Sequence, residues 1–536
     1  TAVGSDNTPI DFQPIHVDLE EKQKYSMQTT GGRSSHGAFP YFEIYNGNYG
    51  VFGGIGWTGD WKADFAYEND SVRMVAGMKE TNISLYAGEQ MRTPMIMLMF
   101  YVGDQTDGHN DFRQLILKNY TPKDKTGETV KSVPTFIGIR GNIGEQEMID
   151  LLAQCEANGR PYDGMWIDAT WYGEIIMGAE LDDTGWVNQV GNWYFIKDAS
   201  PNGNMLKVSE WLLERNKEVL VWFEPERAMP GTKVATEHPE WILDIPQNGT
   251  GRLLFDLSND EACEYMTQLI SGILRENKIT WYRQDFNMEP AKYWSENDAE
   301  NRVGMTEIKH ITNLYRFWDA LVEDNPGLMI DNCASGGRRL DLEMMSRSLP
   351  LWRSDITTSE SHGSTPDNVR ALAYNLSWWL PLHGGGYPSY SSENTSLLYD
   401  MRSYFNGAQT RSWYEDETVI KQVIEEYNEY KDMLVGDYYI LACGTDETGI
   451  ETTNSAYEYY LPEEGRGFIM TFRPQESTEE ETTYRLKGLD PDATYEIVVA
   501  DSQDALTMSG QKLMEQGLLC YYPETAFSML IHFNKK

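Results

Sequence analysis

No run of apolar residues in this sequence approaches the roughly 20 that a membrane-spanning helix needs, so no membrane span is expected. Cysteine is scarce: Cys155, Cys263, Cys333, Cys443 and Cys520 are scattered through 536 positions without a CxxC pair. That spacing excludes a disulfide framework and argues for buried thiols. Histidine is sparse too. Eight histidines include no HExxH and no paired ligand spacing, so no metal site and no cofactor are expected. Basic residues are outnumbered, 44 against 83 acidic. The resulting formal charge of −39 disfavours nucleic acid and anionic membranes as partners, because like charges repel. The opening Thr1-Ala-Val-Gly-Ser-Asp6 has neither an initiator methionine nor an apolar leader, which fits a removed leader or a fragment of a longer protein.

What is present is material for large cores. Hydrophobic residues make up 40 % and aromatics 12 %, and the length exceeds one ordinary domain. Three textures divide the chain. Residues 1–130 carry short alternating runs broken by glycine (Ala38–Tyr45, Asn48–Gly54, Asn82–Tyr86, Met95–Tyr101), as in an antiparallel β-sandwich. Within them, Gly54-Ile-Gly-Trp-Thr-Gly-Asp-Trp61 has two readings: a core tryptophan beside a tight turn, or Trp61 lining a sugar site. Residues 131–432 alternate apolar strands with helical periodicity, the rhythm of a parallel sheet. Eight strand candidates stand out: Thr135–Arg140, Gly164–Thr170, Val219–Pro225, Arg252–Leu257, Thr280–Phe286, Leu328–Cys333, Leu349–Asp355 and Leu380–Gly384. A helix is predicted over Thr306–Val322, stopped by Asn325-Pro-Gly327. Residues 433–536 return to strand patterns such as Gly467–Phe472, Thr494–Ala500 and Phe527–Phe533, a second small sandwich. The fold expected is α/β: a central (β/α)₈ barrel between an N-terminal β-sandwich and a small C-terminal antiparallel β domain.

Polar residues fall at the strand ends: Arg140, Asp168, Glu224, Glu226, Asp256, Asp285, Asn332, Asp355 and His383. In a barrel of this class the C-terminal ends of the strands form the catalytic face. The plainer reading makes such residues N-caps of the following helices, and it suits Asp256 in Phe255-Asp-Leu-Ser-Asn259 best. Asp168, Asp285 and Asp355 instead lie among aromatics. Two carboxyl groups flanking a bond are what glycoside hydrolysis needs, with an apolar face for the ring and polar groups for its hydroxyls. Arg283, Asp285 and Asn287 share one strand face, and a guanidinium two residues away keeps Asp285 ionised. Trp171, Trp222 and Trp352 supply aromatic surface, and Glu224 and Arg353 further polar groups. The same ring of carboxylates would also suit a metal-dependent isomerase or lyase, and a non-catalytic sugar-binding protein would keep the tryptophans.

Four segments carry a resemblance. Trp281-Tyr-Arg-Gln-Asp-Phe-Asn287 resembles the K-x-D-x-N segment of the α-galactosidases of glycoside hydrolase family 36. Asn332-Cys-Ala-Ser-Gly-Gly-Arg-Arg-Leu-Asp341 resembles that family's C-S-G-G-G-x-R-x-D segment, Leu349-Pro-Leu-Trp-Arg-Ser-Asp355 its W-x-S-D segment, and Phe223-Glu-Pro-Glu226 its W-x-E-P-E stretch. The resemblance implies a retaining, exo-acting hydrolase of terminal α-galactosyl residues, with Asp285 as nucleophile and Asp355 as acid/base. It places Cys333 and Gly336 near the 2-position of the sugar and Asp168 at its 4- and 6-hydroxyls. Arg283 replaces the family's lysine, and Ala169 its second acid. An α-N-acetylgalactosaminidase, an α-galactosaminidase or a transglycosylase on the same scaffold are the alternatives, the first two through a roomier pocket around Cys333-Ala-Ser-Gly336. The partner expected is a carbohydrate with a terminal α-galactosyl-type sugar. A secreted or cell-surface bacterial setting is favoured over a cytoplasmic one. A homo-oligomer and membership of a longer multidomain chain both remain open.

Overall fold

The computed structural model describes residues 1–245, 251–356, 365–404, 406–444, 451–502 and 505–536. At its centre lies a parallel sheet of seven named strands, in the order Met329–Asn332, Trp281–Gln284, Glu218–Phe223, Gly164–Ile167, Thr135–Ile139, Ala408–Arg411, Gly385–Gly386. Residues 349–353 close the ring. Leu349 pairs in parallel with Asp331, its N–H donating to the Ile330 carbonyl at 2.9 Å. On the other side, Arg353 N–H donates to the Gly384 carbonyl at 3.1 Å and Gly384 N–H to the Pro350 carbonyl at 2.8 Å. Eight segments therefore surround one interior, a (β/α)₈ barrel.

That interior is packed solid. Phe136, Trp166, Leu220, Trp281, Met329, Leu349 and Leu351 meet in one buried cluster, each from a barrel segment. Trp166 and Trp281 both pack edge-on against Phe136, with ring centroids at 6.0 and 5.7 Å. Amphipathic helices sheathe the outside. Asp260–Glu276 begins at Asn259, whose side chain accepts from the N–H groups of Glu261 and Ala262, and it buries Cys263, Met266, Ile270 and Leu274 at three- and four-residue spacing. The helix Met305–Asp324 covers the predicted span and ends at Asn325, before the Pro-Gly breaker.

Two sequence expectations are corrected here. Arg252–Leu257 does not enter the barrel. Its strand, Leu253–Phe255, pairs antiparallel with Arg227–Ala228 and Ile242–Leu243 in a small outlying sheet. A three-residue apolar run reads the same in either setting, so periodicity could not separate them. The eighth segment is instead Ala408–Arg411, between Gly385–Gly386 and Thr135–Ile139, where Ala-Gln-Thr-Arg carries no apolar run to announce a strand. Asp256 is not the helix cap either. It accepts from the Ser258 N–H at 3.0 Å and closes the turn ahead of Asn259.

Two three-stranded antiparallel sheets precede the barrel. One orders Lys24–Gln28, Trp61–Glu68 and Ser71–Met78; the other Tyr41–Tyr45, Tyr49–Gly56 and Met95–Val102. They meet through Phe42 and Phe65, whose rings lie 4.9 Å apart. Gly53 is needed at this contact, since a Cβ there would stand 1.9 Å from the Phe42 ring. After the barrel, a six-stranded antiparallel sheet runs Asp437–Ala442, Ser455–Leu461, Arg466–Arg473, Phe527–Lys535, Thr494–Val499, Ala505–Ser509. Its inner face packs Tyr457, Tyr459, Phe468 and Phe472 onto Tyr374, Tyr399 and Tyr430 of the barrel helices. No helix among the described residues is long and apolar enough to cross a membrane.

The N-terminal region is stitched to the loop after the fifth barrel strand. Ser35 N–H donates to the Arg338 carbonyl at 2.9 Å, and the Ser35 hydroxyl to the Gly337 carbonyl at 2.7 Å. Asp341 accepts from the Ser34 hydroxyl at 2.5 Å and from the Glu343 N–H at 3.0 Å. Burial pushes the fully buried Asp341 carboxyl up to about 6, against the pull of Ser34.

Two predictions follow from this packing. As pH rises from about 3.8 to about 6, the unfolded chain ionises Asp341 while the folded protein keeps it protonated, so stability falls across that window. Unfolding followed against pH should show this slope in the wild type, and the Asp341→Asn variant should lack that increment. Leu220→Ala should empty part of the barrel interior at a cost of about 2–5 kcal/mol, read as a lowered thermal midpoint. An unchanged midpoint would contradict the packing of Leu220.

Candidate active site

The carboxylates collect where the strands end. Asp168 follows the second strand, Glu224 the third, Asp285 the fourth, Cys333 the fifth, and Asp355 the residues 349–353 that form the sixth. Strand polarity alone brings these side chains to one mouth, because all eight segments run parallel.

Asp285 is buried, 8 % exposed, and four donors hold its two oxygens. Oδ1 accepts from the N–H groups of Phe286 at 2.8 Å and Ser335 at 2.9 Å. Oδ2 accepts from Asn287 Nδ2 at 2.7 Å and Trp222 Nε1 at 3.2 Å. Burial by itself would raise its pKa. The Arg283 charge and these hydrogen bonds outweigh burial and leave Asp285 below the ordinary carboxylate range. Arg283 does this across space. Its guanidinium is ion-paired with the buried Asp331 and stands 3.5 Å from Asp168, stacked 4.5 Å above the Trp166 ring.

Asp355 has the opposite balance. Its Oδ1 accepts from Trp352 Nε1 at 3.0 Å, and its Oδ2 from Asn7 Nδ2 at 2.8 Å and the Ser335 hydroxyl at 3.1 Å. Burial, and next the negative charge of Asp285, push its pKa up, and the hydrogen bonds do not offset them. Ser335 thus bridges the two carboxyl groups, giving its N–H to one and its hydroxyl to the other.

The other expected site residues divide by placement. Asp168 presents a side chain 45 % exposed, steadied by Trp166 Nε1 at 2.9 Å and the Ala169 N–H at 2.9 Å. Asn287 and Trp352 are half-buried beside the two carboxyl groups. Trp222 and Glu224 act from below. Trp222 is fully buried, stacked on Tyr172, and reaches the site only through its N–H on Asp285. Glu224, pushed up by burial against the pull of Arg227, accepts from the Asn287 N–H at 2.6 Å and fixes that residue. Three others face elsewhere. Trp171 is core, giving its N–H to the Trp222 carbonyl at 2.7 Å. Arg353 alternates to the opposite side from Trp352 and donates to the Tyr404 carbonyl at 3.0 Å. Trp61 is buried in the N-terminal sheet, donating to the Ser34 carbonyl at 2.7 Å.

The small residues at 333–336 leave less room than their size suggests. Cys333 and Ala334 are buried. Gly336, at φ +79°, faces Asn7, and a Cβ on it would stand 2.7 Å from Asn7 Oδ1. Asn7 therefore fills the space beside Gly336. Nothing in the sequence marks Asn7, which lies 348 positions from its partner. Nothing in the strand Met-Ile-Asp-Asn names Asp331 as the partner of Arg283. Among the described residues no cluster of three or more His, Cys, Asp or Glu is placed to hold a metal ion.

Comparison with known proteins agrees with this layout. The Melibiase family model matches residues 145–362, and the model of the glycosyl hydrolase family 36 C-terminal domain matches residues 454–533. Alpha-galactosidase AgaA of Geobacillus stearothermophilus is 23 % identical over 461 residues, 83 % of this chain and 60 % of AgaA. An Escherichia coli alpha-galactosidase is 26 % identical over 366 residues, 64 % of this chain and 48 % of that protein. The chain thus spans about half to three-fifths of the length of these relatives. A solved AgaA variant in complex with stachyose shares the fold at TM-score 0.79 and 18 % identity, covering 97 % of this chain and 72 % of AgaA. With two models of one family in order along it, and the barrel and C-terminal sheet they describe, the chain belongs to glycoside hydrolase family 36.

Proposed function

We propose that this chain is a retaining, exo-acting α-galactosidase that releases terminal α-linked galactosyl residues from oligosaccharides or glycoconjugates. One observation carries the reading: a buried carboxyl group, Asp285, and a half-buried one, Asp355, whose acidities are driven apart and which are both hydrogen-bonded to Ser335. A pair of this kind divides labour, the ionised member as nucleophile and the protonated member as acid. Asp285, held ionised, attacks the anomeric carbon. Asp355, made harder to deprotonate by burial and the Asp285 charge, gives its proton to the leaving oxygen, and as carboxylate it later takes one from water. Joint contact with one residue supports the close spacing, roughly 5–5.5 Å, of a retaining pair. The α-galactosidase names of the relatives, and the stachyose bound to AgaA, support the sugar class. Asp168 and Asn287 offer polar atoms to sugar hydroxyls, and Trp352 an aromatic edge.

Two measurements check this assignment. On p-nitrophenyl α-galactoside, Asp285→Ala should abolish turnover. Asp355→Ala should lose about 10²–10⁴-fold on substrates with poor leaving groups, much less with activated ones, and should recover with azide. Full activity in Asp285→Ala would overturn the assignment. The second concerns pH. Activity needs ionised Asp285, so it fails as pH drops through that group's pKa. Removing the guanidinium in Arg283→Gln raises this pKa and should move the acidic limb of kcat/KM to higher pH, whereas Arg283→Lys should keep most of the wild-type limb.

A further inference from the structure

Asp355 receives its hydrogen bonds unevenly. A carboxylate oxygen offers two acceptor positions. On Oδ2 both are taken, by Asn7 Nδ2 at 2.8 Å and the Ser335 hydroxyl at 3.1 Å. On Oδ1 one is taken, by Trp352 Nε1 at 3.0 Å, and no other donor reaches it among the described residues. The Asn7 amide cannot turn over without loss, because its own oxygen accepts the Asp355 N–H at 3.0 Å. This reciprocal pair fixes Nδ2 toward the carboxylate.

Both donors occupy backbone positions that ordinary side chains avoid. Asn7 and Ser335 each have φ of +59°, in the left-handed region. Asparagine tolerates it; serine does so at a cost that glycine would not pay, and such strain persists where surrounding contacts impose it. The contacts are there. Arg338 donates to the Ser335 carbonyl at 2.7 Å while the Ser335 N–H binds Asp285. The Asn7 turn is wound around the fully buried Asp11, which accepts from the N–H groups of Asp6, Asn7 and Thr8 at 3.0, 3.0 and 3.1 Å. Glycine at 335 would keep the N–H on Asp285 and lose only the hydroxyl on Asp355.

We propose that Asn7 and Ser335 are positioning residues that saturate Oδ2 of Asp355 and confine the transferable proton to Oδ1, beside Trp352. The proposal rests on Asp355 being the acid/base. In the first step the Oδ1–H bond breaks and its proton passes to the glycosidic oxygen. The bond from that oxygen to the anomeric carbon breaks, and an ester bond forms from the carbon to Asp285. In the second step Oδ1 takes a proton from water as the water oxygen bonds to carbon and the ester to Asp285 breaks. A proton resting on Oδ2 would have to displace one of its two donors, Asn7 Nδ2 or the Ser335 hydroxyl. Among the described residues, the charged groups that most affect Asp355 are Asp285 across the site and Arg338 from the Ser335 loop. Asp6 flanks Asn7, paired with His36 at 2.8 Å, and the Cys333 thiol is kept neutral by burial.

Ser335→Gly and Asn7→Asp test this beside Asp355→Ala, on aryl α-galactosides of graded leaving-group acidity. Ser335→Gly relieves strain, so its thermal midpoint should equal or exceed the wild type. Its kcat/KM should nevertheless fall about three- to tenfold on poor leaving groups, the worth of one hydrogen bond, and far less on good ones. Loss of a donor to the ionised form should also move the basic limb of its pH profile upward. Asn7→Asp turns the donor into a competing acceptor and should steepen the leaving-group dependence further. If Asp355→Ala shows that dependence and both other variants keep the wild-type slope and basic limb, the confinement of the proton is refuted while the acid/base assignment stands. If Asp355→Ala itself shows no such dependence, the assignment and the proposal built on it both fail.

Discussion

Two carboxyl groups facing each other in a buried site cannot both ionise cheaply, and most of the barrel mouth is arranged around that repulsion. Arg283 settles which one keeps its charge. Buried over the Trp166 ring and paired with Asp331 and Asp168, it stabilises the carboxylate form of Asp285 across space through its positive charge. The charge left on Asp285 then works against ionisation of Asp355. Asp285 and Asp355 are thus one coupled pair, and Ser335 is hydrogen-bonded to both.

The scaffold serves this pair by layers. Parallel strands deliver the side chains to one mouth, and a packed interior of Phe136, Trp166, Leu220 and Trp281 keeps the strand ends from shifting. Beneath the site, buried ion pairs lock the loops. Glu226 accepts from both Arg339 nitrogens, at 2.5 and 2.9 Å, and this holds the fifth-strand loop against the third strand. Burial would raise the Glu226 pKa, yet Arg339 and His310 hold it down to about 2. The N-terminal segment is part of the same mouth, since Asn7 completes the setting of Asp355.

How much of this could be read from the sequence depended on range. Strands with strong apolar runs, such as Glu218–Phe223 and Gly164–Ile167, were legible, and so were the carboxylates at their ends. Ala408–Arg411 was not, because a short polar strand buried by its neighbours carries no periodic signal of its own. Arg252–Leu257 was legible as a strand but not as an outlier, because partner choice is tertiary. The tryptophans mislead for a related reason: Trp61 and Trp171 bury their rings completely, and composition does not reveal which face a ring turns to solvent. Asp285 stood out through Arg283 and Asn287 on its own strand. What holds Asp355 stayed hidden, since Asn7 reaches it across 348 positions of chain.

The most direct test of the division of labour between Asp285 and Asp355 is the configuration of the first sugar released. Proton NMR during early hydrolysis of an aryl α-galactoside reads it before mutarotation mixes the anomers. An ionised Asp285 attacking from one face, followed by water from the other, predicts that α-galactose appears first and β-galactose grows in later. Initial release of β-galactose would mean a single displacement by water, and would contradict Asp285 as the nucleophile.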